Sequence, residues 1–522
     1  MKNKALLRIK KLKAYNPPLN GRSRFDGLLL DFNERTKKPT NKALKAIQEF
    51  LQQNRLQTYP EYGLLEKKLA NYTEVNTNQI LVTNGSDQGI DLIFRTFTDR
   101  EDKVIIPTPS FPMFYQSAKI VGNKIAYPLY KNTDPSFPIT EVIKAIDKFV
   151  KLIVICNPNN PTGTLVSLND IKKIASKAKD AIVLVDEAYF EFSKVSAVSL
   201  IKKYPNIIVT RTFSKAFGLA SLRIGYVIAS KECIQELRKV RGPYDINMIA
   251  YSAASSLLDD KKDTEKYVEE VMKKSKPMIE KFFIKNGIPF YSSSANFILF
   301  KPKDSKFVER TLYEKGILVR SQDKPTIENT LRLTIGTVDQ MKKFIEIYDN
   351  CIIKKLKINE KYAFIDRDGT LIFEPQDTYQ IDSVKKLKIL DGVIEGLKEL
   401  KKQDYQLVMV TNQDGMGTPS FPKNNFQEPQ EEMLKILEKK NIKFKKVFIC
   451  PHLPSANCDC RKPKTGLVKE LIAANEINKD KSFVCGDRPS DELFAKNIGI
   501  KFVQMKTNEN FYQALIRKGV IV

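Results

Sequence analysis

Histidine is almost missing: the 522-residue chain holds one, His452. That scarcity excludes a Ser-His-Asp triad or a multi-histidine metal centre anywhere away from this residue. Long apolar runs are also missing; none reaches the roughly 18 residues of a membrane span. The N-terminal MKNKALLRIKKLKAY is basic and has no apolar core, so it does not read as a secretory signal. Cysteine is sparse and odd in number. The seven are mostly isolated on apolar runs, which suits a reducing cytosol better than a disulfide framework. A cytoplasmic protein is therefore expected. No internal repeat, low-complexity block or coiled coil is found.

The one histidine is not isolated. It lies in the run Cys450-Pro-His452-Leu-Pro-Ser-Ala-Asn-Cys458-Asp-Cys460, a C-x-H-x5-C-x-C spacing. Four soft or borderline ligands fill a tetrahedron, so Cys450, His452, Cys458 and Cys460 are read as a structural clip for Zn2+ with no open coordination position. Ligand softness favours zinc, although iron has similar tastes.

Basic residues number 87 against 61 acidic ones, a formal charge of +26. Such a charge permits weak nucleic-acid binding. The lysines are spread along the whole chain, many beside Glu on predicted helix faces, and no RNA- or DNA-reading motif accompanies them. Neither nucleic acid nor membrane is expected as a partner. Steering of small anionic substrates is. Hydrophobic residues make up 42% and aromatics 10%, enough for packed cores.

Short apolar runs recur, each ending in a polar or glycine-rich cluster. Lys151–Cys156 precedes NPNNPTG, Ala181–Val185 precedes DEAY, and Ile207–Thr210 precedes RTFSKAFG. Further on, Tyr362–Ile365 leads to DRDGT, Tyr405–Val410 to TNQDG, Val447–Ile449 to CPH, and Phe483–Cys485 to GDRPSD. Continuous apolar runs suit strands buried on both faces, and helical stretches lie between them. The fold class is α/β with parallel sheets, and polar clusters at strand ends are where such sheets bind ligands. The pattern restarts near residue 361. Val338–Ile353 reads as a closing helix, so residues 1–353 form one domain, 354–361 a charged linker, and 362–522 a second, unrelated domain.

In the first domain, Gly85-Ser86-Asp87 opens a helix whose apolar positions Ile90, Ile93, Phe94 and Phe97 keep helical spacing. Asn160-Pro-Thr-Gly, Asp186-Glu-Ala-Tyr189, Thr212-Phe-Ser214-Lys215 and Leu-Arg223-Ile-Gly follow in order. With these motifs, residues 20–350 resemble a pyridoxal-phosphate-dependent fold-type I aminotransferase, and within that group the histidinol-phosphate aminotransferases. A phosphothreonine decarboxylase-like relative shares most of the motifs.

The resemblance implies a role for each residue. Lys215 is the amine that condenses with the cofactor aldehyde and carries protons. Asp186 is the anionic partner of the pyridinium nitrogen. Asn160 and Tyr189 bond the phenolic oxygen. Backbone N–H groups of Ser86 and Asp87, with Thr212, Ser214 and Arg223, hold the cofactor phosphate. Phe111 stacks on the ring, where the family commonly has tyrosine. Tyr59 reaches the phosphate of a neighbouring subunit, which implies a homodimer. Asn33, Arg320 and Arg332 bind substrate, the arginines serving both glutamate and a phosphorylated amine. Arg35 stands where the family reads N-E-N-P, so the substrate loop departs from the pattern.

In the second domain, Asp366-Arg-Asp368-Gly-Thr resembles the D-x-D-x-T motif of haloacid dehalogenase-type phosphatases with a Rossmann-like fold. The resemblance makes Asp366 the nucleophile that forms an aspartyl-phosphate and Asp368 the acid and base. Thr411 and Lys462 bind the transferring group. Asp366, the Asp368 carbonyl and Asp487 hold Mg2+, with Asp491 behind them. The clip immediately precedes Lys462. This narrows the likeness to histidinol-phosphate phosphatases or heptose bisphosphate phosphatases, and TNQDGMGT followed by SFP is closer to the first. The dehydratase domain that some such phosphatases carry is not expected, for want of histidines.

The two resemblances meet at one metabolite. They imply a bifunctional enzyme of histidine biosynthesis. It would transaminate imidazole acetol phosphate with glutamate and then hydrolyse histidinol phosphate. The alternative pairs an aminotransferase for another phosphorylated amine with a heptose bisphosphate-type phosphatase.

Overall fold

The computed structural model describes residues 4–131, 136–353, 360–473 and 477–521. It separates into two compact units, Met1–Tyr348 and Asp349–Val522. The linker expected over 354–361 lies outside the described residues except at Glu360 and Lys361, and Lys361 already opens a strand. The expected closing helix is α-helical over Val338–Tyr348 and continues as a π-helix over Asp349–Ile353. No helix among the described residues is long and apolar enough to cross a membrane.

In the first unit, strand β1 (Leu28–Leu29) pairs with a distant two-residue strand, Ile317–Leu318. Seven strands form the main sheet: β2 (Ile80–Thr83), β3 (Lys103–Ile105), β4 (Lys124–Ala126), β5 (Val150–Cys156), β6 (Ile182–Asp186), β7 (Ile207–Thr212) and β8 (Gly225–Ile228). Their order is β2-β8-β7-β6-β5-β3-β4. β7, β6, β5, β3 and β4 are parallel, whereas β8 runs antiparallel to both its neighbours. The apolar runs of β5, β6 and β7 are buried nearly throughout, because hydrophobic clusters cover both faces of the sheet.

A second, antiparallel sheet joins β9 (Phe297–Phe300), β11 (Arg320–Gln322) and β12 (Thr330–Thr334), β10 being the Ile317–Leu318 strand. The expectation of parallel sheets alone is therefore corrected. β8 and this small sheet are antiparallel.

A buried ion pair fastens the ends of β6 and β7. Arg211 Nε and Nη2 donate to Glu187 Oε2 at 3.0 and 2.8 Å, and Nη2 also donates to Ser196 Oγ at 2.7 Å. The guanidinium lies 3.5 Å from the Phe190 ring centroid. Such a pair tolerates burial because its donors and acceptors are mutually satisfied.

The second unit is a five-stranded parallel sheet, ordered β15-β14-β13-β16-β17. Its strands are β13 (Lys361–Ile365), β14 (Tyr405–Asn412), β15 (Lys446–Cys450), β16 (Phe483–Gly486) and β17 (Lys501–Gln504). The first strand in sequence is central. The chain goes to one side for β14 and β15, then to the other for β16 and β17. The crevice beyond the end of β13 is thus a topological switch point, and Asp366 stands at its mouth.

Gly225 marks how tightly β8 meets the helix Gly85–Phe97. A Cβ there would lie 2.6 Å from the Ser86 nitrogen and 2.7 Å from the Arg211 carbonyl oxygen, both backbone atoms. Gly225→Ala is expected to cost roughly 1–3 kcal/mol through overpacking. Urea unfolding followed by circular dichroism checks this, and an unchanged first transition would contradict the packing described.

Candidate active sites

Because β5, β6 and β7 are parallel, their carboxyl ends bring Cys156, Asp186 and Thr212 to one edge of the sheet. A cavity of about 110 Å³ opens there, lined by Ser86, Asp87, Phe111, Cys156, Asn160, Asp186, Ala188, Tyr189, Thr212, Ser214, Lys215 and Arg223. Every residue expected to bind the cofactor is present except Tyr59. That side chain is exposed, stacks on Tyr244 with ring centroids 4.3 Å apart, and lies outside the cavity.

Asp186 is buried. The Thr210 hydroxyl donates to its Oδ1 at 2.8 Å, and Cys156 Sγ lies 3.9 Å from Oδ2. Burial raises its pKa to about 7, beyond what the Thr210 bond offsets. Lys215 moves the other way. Burial and then the nearby Arg332 lower its pKa to about 8, while Nζ donates to the Phe32 carbonyl at 2.8 Å. An amine near neutrality is a usable nucleophile and proton carrier.

Ser86 and Asp87 occupy the first turn of the helix Gly85–Phe97. Opposite them, Thr212 Oγ1 donates to Ser214 Oγ at 3.0 Å and accepts from the Ser214 N–H at 3.1 Å. Arg223, held in the left-handed region at φ 53°, bonds Asp87 Oδ2 at 2.8 Å. Hydroxyls, a guanidinium and a helix N-terminus form a cup for a phosphate. Together with a buried acid met only by neutral groups, the Thr210 hydroxyl, the Ala188 N–H and a thiol, the donor set fits pyridoxal phosphate.

Asn33 Nδ2 donates to Tyr189 Oη at 3.0 Å. Its own backbone is in the left-handed region at φ 56°, fixed by Thr334 Oγ1, which accepts from its N–H at 2.9 Å, and by Asn296 Nδ2, which donates to its carbonyl at 3.1 Å. Arg320 and Arg332 face each other across β11 and β12. Arg332 Nη1 donates to Asn160 Oδ1 at 2.5 Å and Nη2 to the Asp31 carbonyl at 2.6 Å, while its buried Nε has no partner. Arg35 does not point to substrate chemistry. Its buried side chain donates to the Ala216 carbonyl at 3.1 Å, pairs with Asp263, and lies over the Tyr267 ring.

In the second unit a cavity of about 150 Å³ brings together Asp366, Asp368, Thr411 and Lys462, along with Glu374, Asn412, Gln413, Asp414, Arg461, Arg488 and others. Lys462 is buried and shared: Nζ donates to Asp366 Oδ1 at 2.6 Å and to Asp491 Oδ1 at 2.5 Å. Burial alone would lower its pKa, but the two carboxylates outweigh this and raise it. Asp368 accepts from Arg367 Nη1 at 2.6 Å and from Gln413 Nε2 at 2.5 Å, and Gln413 Nε2 also reaches Thr411 Oγ1 at 2.8 Å.

Carboxylate oxygens of Asp366, Asp487 and Asp491 lie within 4.8 Å of one another. Asp487 Oδ1 is buried without a partner, and burial raises the Asp487 pKa. This all-oxygen cluster fits Mg2+. Both Asp491 oxygens already accept, Oδ1 from Lys462 Nζ and Oδ2 from the Arg488 N–H. The Asp368 side chain is not in the cluster.

The clip residues also converge. Cys460 Sγ lies 3.3 Å from Cys450 Sγ, 3.2 Å from Cys458 Sγ and 3.2 Å from His452 Nδ1. Cys450 Sγ lies 3.7 Å from Cys458 Sγ and 3.8 Å from His452 Nδ1. Ligands about 2.0–2.3 Å from a tetrahedral Zn2+ are separated by about 3.3–3.8 Å, so the set fits that ion.

Residues 26–347 match the family model for class I and II aminotransferases. The chain belongs to that family. A histidinol-phosphate aminotransferase of Ruminiclostridium cellulolyticum is 36% identical over 344 residues, covering 65% of this chain and 96% of the relative. One from Thermoanaerobacter pseudethanolicus is 38% identical over 314 residues, covering 59% and 89%. Among solved structures, a putative histidinol-phosphate aminotransferase of Erwinia carotovora atroseptica has a TM-score of 0.59 at 26% identity, covering 63% of this chain and 97% of that one. The Sinorhizobium meliloti enzyme in complex with pyridoxal-5'-phosphate has a TM-score of 0.60 at 22% identity, covering 66% and 96%, a likeness of fold. Residues 361–512 match the model for polynucleotide kinase 3 phosphatases. The chain therefore carries a fold-type I aminotransferase domain followed by a phosphatase-like domain.

Sequence reading missed several residues of both domains. Cys156 is paired in register with Asp186 in the aminotransferase sheet, and its place at the end of an apolar run was the available signal. Asn296 and Thr334 fix Asn33 from more than 260 residues away and carry no motif. In the phosphatase domain Asn412 clasps the Lys462 backbone in both directions, donating to its carbonyl at 3.2 Å and accepting from its N–H at 3.0 Å. Its neighbours in TNQDG were read, but it was not.

The raised Asp186 pKa has a sign that can be tested. An acid whose pKa is higher folded than unfolded destabilises the cofactor-free protein as pH rises from about 4 through about 7. Asp186→Asn in cofactor-free protein should be more stable than wild type at pH 8 by roughly 2–4 kcal/mol, with the gain gone below about pH 4. Urea titrations at several pH values measure it. The same variant should retain pyridoxal phosphate poorly on dialysis.

Proposed function

We propose that the chain is a bifunctional cytoplasmic enzyme working on consecutive steps of histidine biosynthesis. Residues 1–353 transaminate imidazole acetol phosphate with glutamate, giving histidinol phosphate and 2-oxoglutarate. Residues 362–522 hydrolyse histidinol phosphate to histidinol and phosphate. The observation carrying the first half is Arg320 facing Arg332 beside the cavity that holds Lys215 and Asp186. Opposed like charges need an anion, and guanidinium pairs suit both carboxylate and phosphate.

Pyridoxal phosphate supplies the electron sink that acidifies the substrate Cα–H. Lys215 takes that proton and returns it on the far side of the amino-group shift. Asp186 keeps a proton at the ring nitrogen. Asn160 and Tyr189 hold the phenolic oxygen, and Phe111 covers the ring face. Thr212, Ser214, Arg223 and the Ser86 and Asp87 N–H groups anchor the phosphate. Asn33 positions Tyr189 and borders the substrate. Tyr59, exposed within one chain, completes the site of a second subunit in a homodimer.

The phosphatase is read as a haloacid dehalogenase type. Asp366 Oδ1 is engaged by Lys462, which leaves Oδ2 to attack phosphorus. Asp368 protonates the leaving alkoxide, then deprotonates the water that opens the aspartyl-phosphate. Thr411 and Lys462 bind the transferring phosphoryl oxygens. Asp366, Asp487 and the Asp368 carbonyl would hold Mg2+, which would supply charge neutralisation for the transferring group. Cys450, His452, Cys458 and Cys460 would hold Zn2+, and the closed clip would keep Arg461 and Lys462 in place.

Purified protein with imidazole acetol phosphate, glutamate, pyridoxal phosphate and Mg2+ should release 2-oxoglutarate, phosphate and histidinol. Lys215→Ala should lower 2-oxoglutarate formation by roughly 10³-fold or more and leave hydrolysis of added histidinol phosphate intact. Asp366→Asn should do the reverse, with histidinol phosphate accumulating. A heptose bisphosphate and an oligonucleotide 3′-phosphate, the latter prompted by the matching phosphatase family, belong in the same assay. Faster hydrolysis of either would replace the proposed second substrate.

A zinc chelator should abolish the phosphatase while sparing the transaminase. Cys458→Ser should release zinc measurable by metal analysis. Retained zinc in that variant would contradict the clip.

A further inference from the structure

Lys324 lies on the connection between β11 and β12, beside the paired arginines. Its Nζ donates to the Ser110 carbonyl at 2.9 Å, one residue before Phe111 of the cofactor cavity. Burial lowers its pKa to about 8, and Arg332 and Arg320 push in the same direction. None of the ion pairs among the described residues involves Arg320, Lys324 or Arg332.

Three cations in no ion pair, Arg332 buried and Arg320 and Lys324 half-buried, are costly to hold together. A ligand carboxylate would offset one charge and can satisfy one bidentate arginine. A phosphate monoester offsets up to two and offers three terminal oxygens, enough for a third donor. The two arginines suffice for glutamate; the lysine is surplus to it.

We propose that Lys324 is a specificity-determining residue of the aminotransferase, donating to the phosphate of the phosphorylated substrate and not to the carboxylate of glutamate. The proposal rests on the transaminase reading of this cavity. When phosphate binds, Nζ leaves or shares the Ser110 carbonyl.

The test compares holoenzyme of wild type, Lys324→Met and Lys324→Arg. In Lys324→Met the ratio of kcat/KM for histidinol phosphate to that for glutamate should fall about 10-fold or more, the worth of one charge-assisted hydrogen bond. Lys324→Arg should recover most of it. Inorganic phosphate, used as a probe against the glutamate half-reaction, should inhibit Lys324→Met with a Ki about 10-fold higher than wild type.

An unchanged ratio, or equal loss with both substrates, would assign Lys324 a purely structural role and overturn the proposal. So would an unchanged phosphate Ki. If wild type turns over glutamate but rejects histidinol phosphate, the proposed substrate fails, and the phosphate Ki still decides whether Lys324 binds phosphate.

Discussion

A charge carried into a protein interior costs several kcal/mol unless an opposite charge meets it, and both sites are organised by that cost. In the phosphatase domain the account closes within the chain for Lys462, though not for Asp487, whose buried Oδ1 has no partner. Lys462 sits between Asp366 and Asp491, each within 2.6 Å. In the aminotransferase domain it stays open. Asp186 has a hydroxyl and a distant thiol, Lys215 has a carbonyl, and Arg332 has an amide and a carbonyl. On the proposed reading, Asp186 would meet a pyridinium and the arginines a phosphate or carboxylate. The shifts of Asp186 upward and Lys215 downward express the same incompleteness in the cofactor-free protein.

How much of this was legible follows from how local each feature is. Apolar runs announced β5, β6, β7, β13, β14, β15 and β16, because strands buried on both faces need no polar alternation. The polar clusters ending those runs carried most site residues, since parallel strands deliver their carboxyl ends to one edge whatever the loops do. β8 was not legible as antiparallel. A short buried strand between two others is equally apolar in either direction, so composition cannot show polarity. The supports of Asn33 were hidden for another reason. Asn296, just before β9, and Thr334, at the end of β12, act through contacts that only the folded chain brings together. Residue roles came through resemblance, and geometry by itself shows convergence, not chemistry.

Arg35 shows how a departure from a family pattern can change its meaning once packing is visible. By sequence it unsettled the substrate loop. In the structure its guanidinium is buried, bonded to the carbonyl next to Lys215, paired with Asp263, and laid on Tyr267. Gly218 leaves room for it, since a Cβ there would come within 2.9 Å of Arg35 Cδ. The segment Phe32–Arg35 thus touches the lysine turn twice, at the Lys215 amine and at the Ala216 carbonyl. The departure is a brace on the Lys215 turn.

The phosphate-handling surfaces of the chain differ in a way their tasks explain. A cofactor phosphate must stay through every turnover, so the cup uses hydroxyls, backbone N–H groups and one arginine already paired with Asp87. Neutral donors give directional binding without a large charge to strand when the site is empty. A substrate phosphate must leave, and the cluster of Arg320, Lys324 and Arg332 is held by carbonyls, an amide and a ring, which are weak partners for a cation. Such a cluster attracts a dianion strongly and keeps no rigid cage around it. A phosphoryl group that is to be transferred needs a third arrangement. There the charge must lie on the reacting atoms, and on the proposed phosphatase reading Lys462, bonded to Asp366, would supply it.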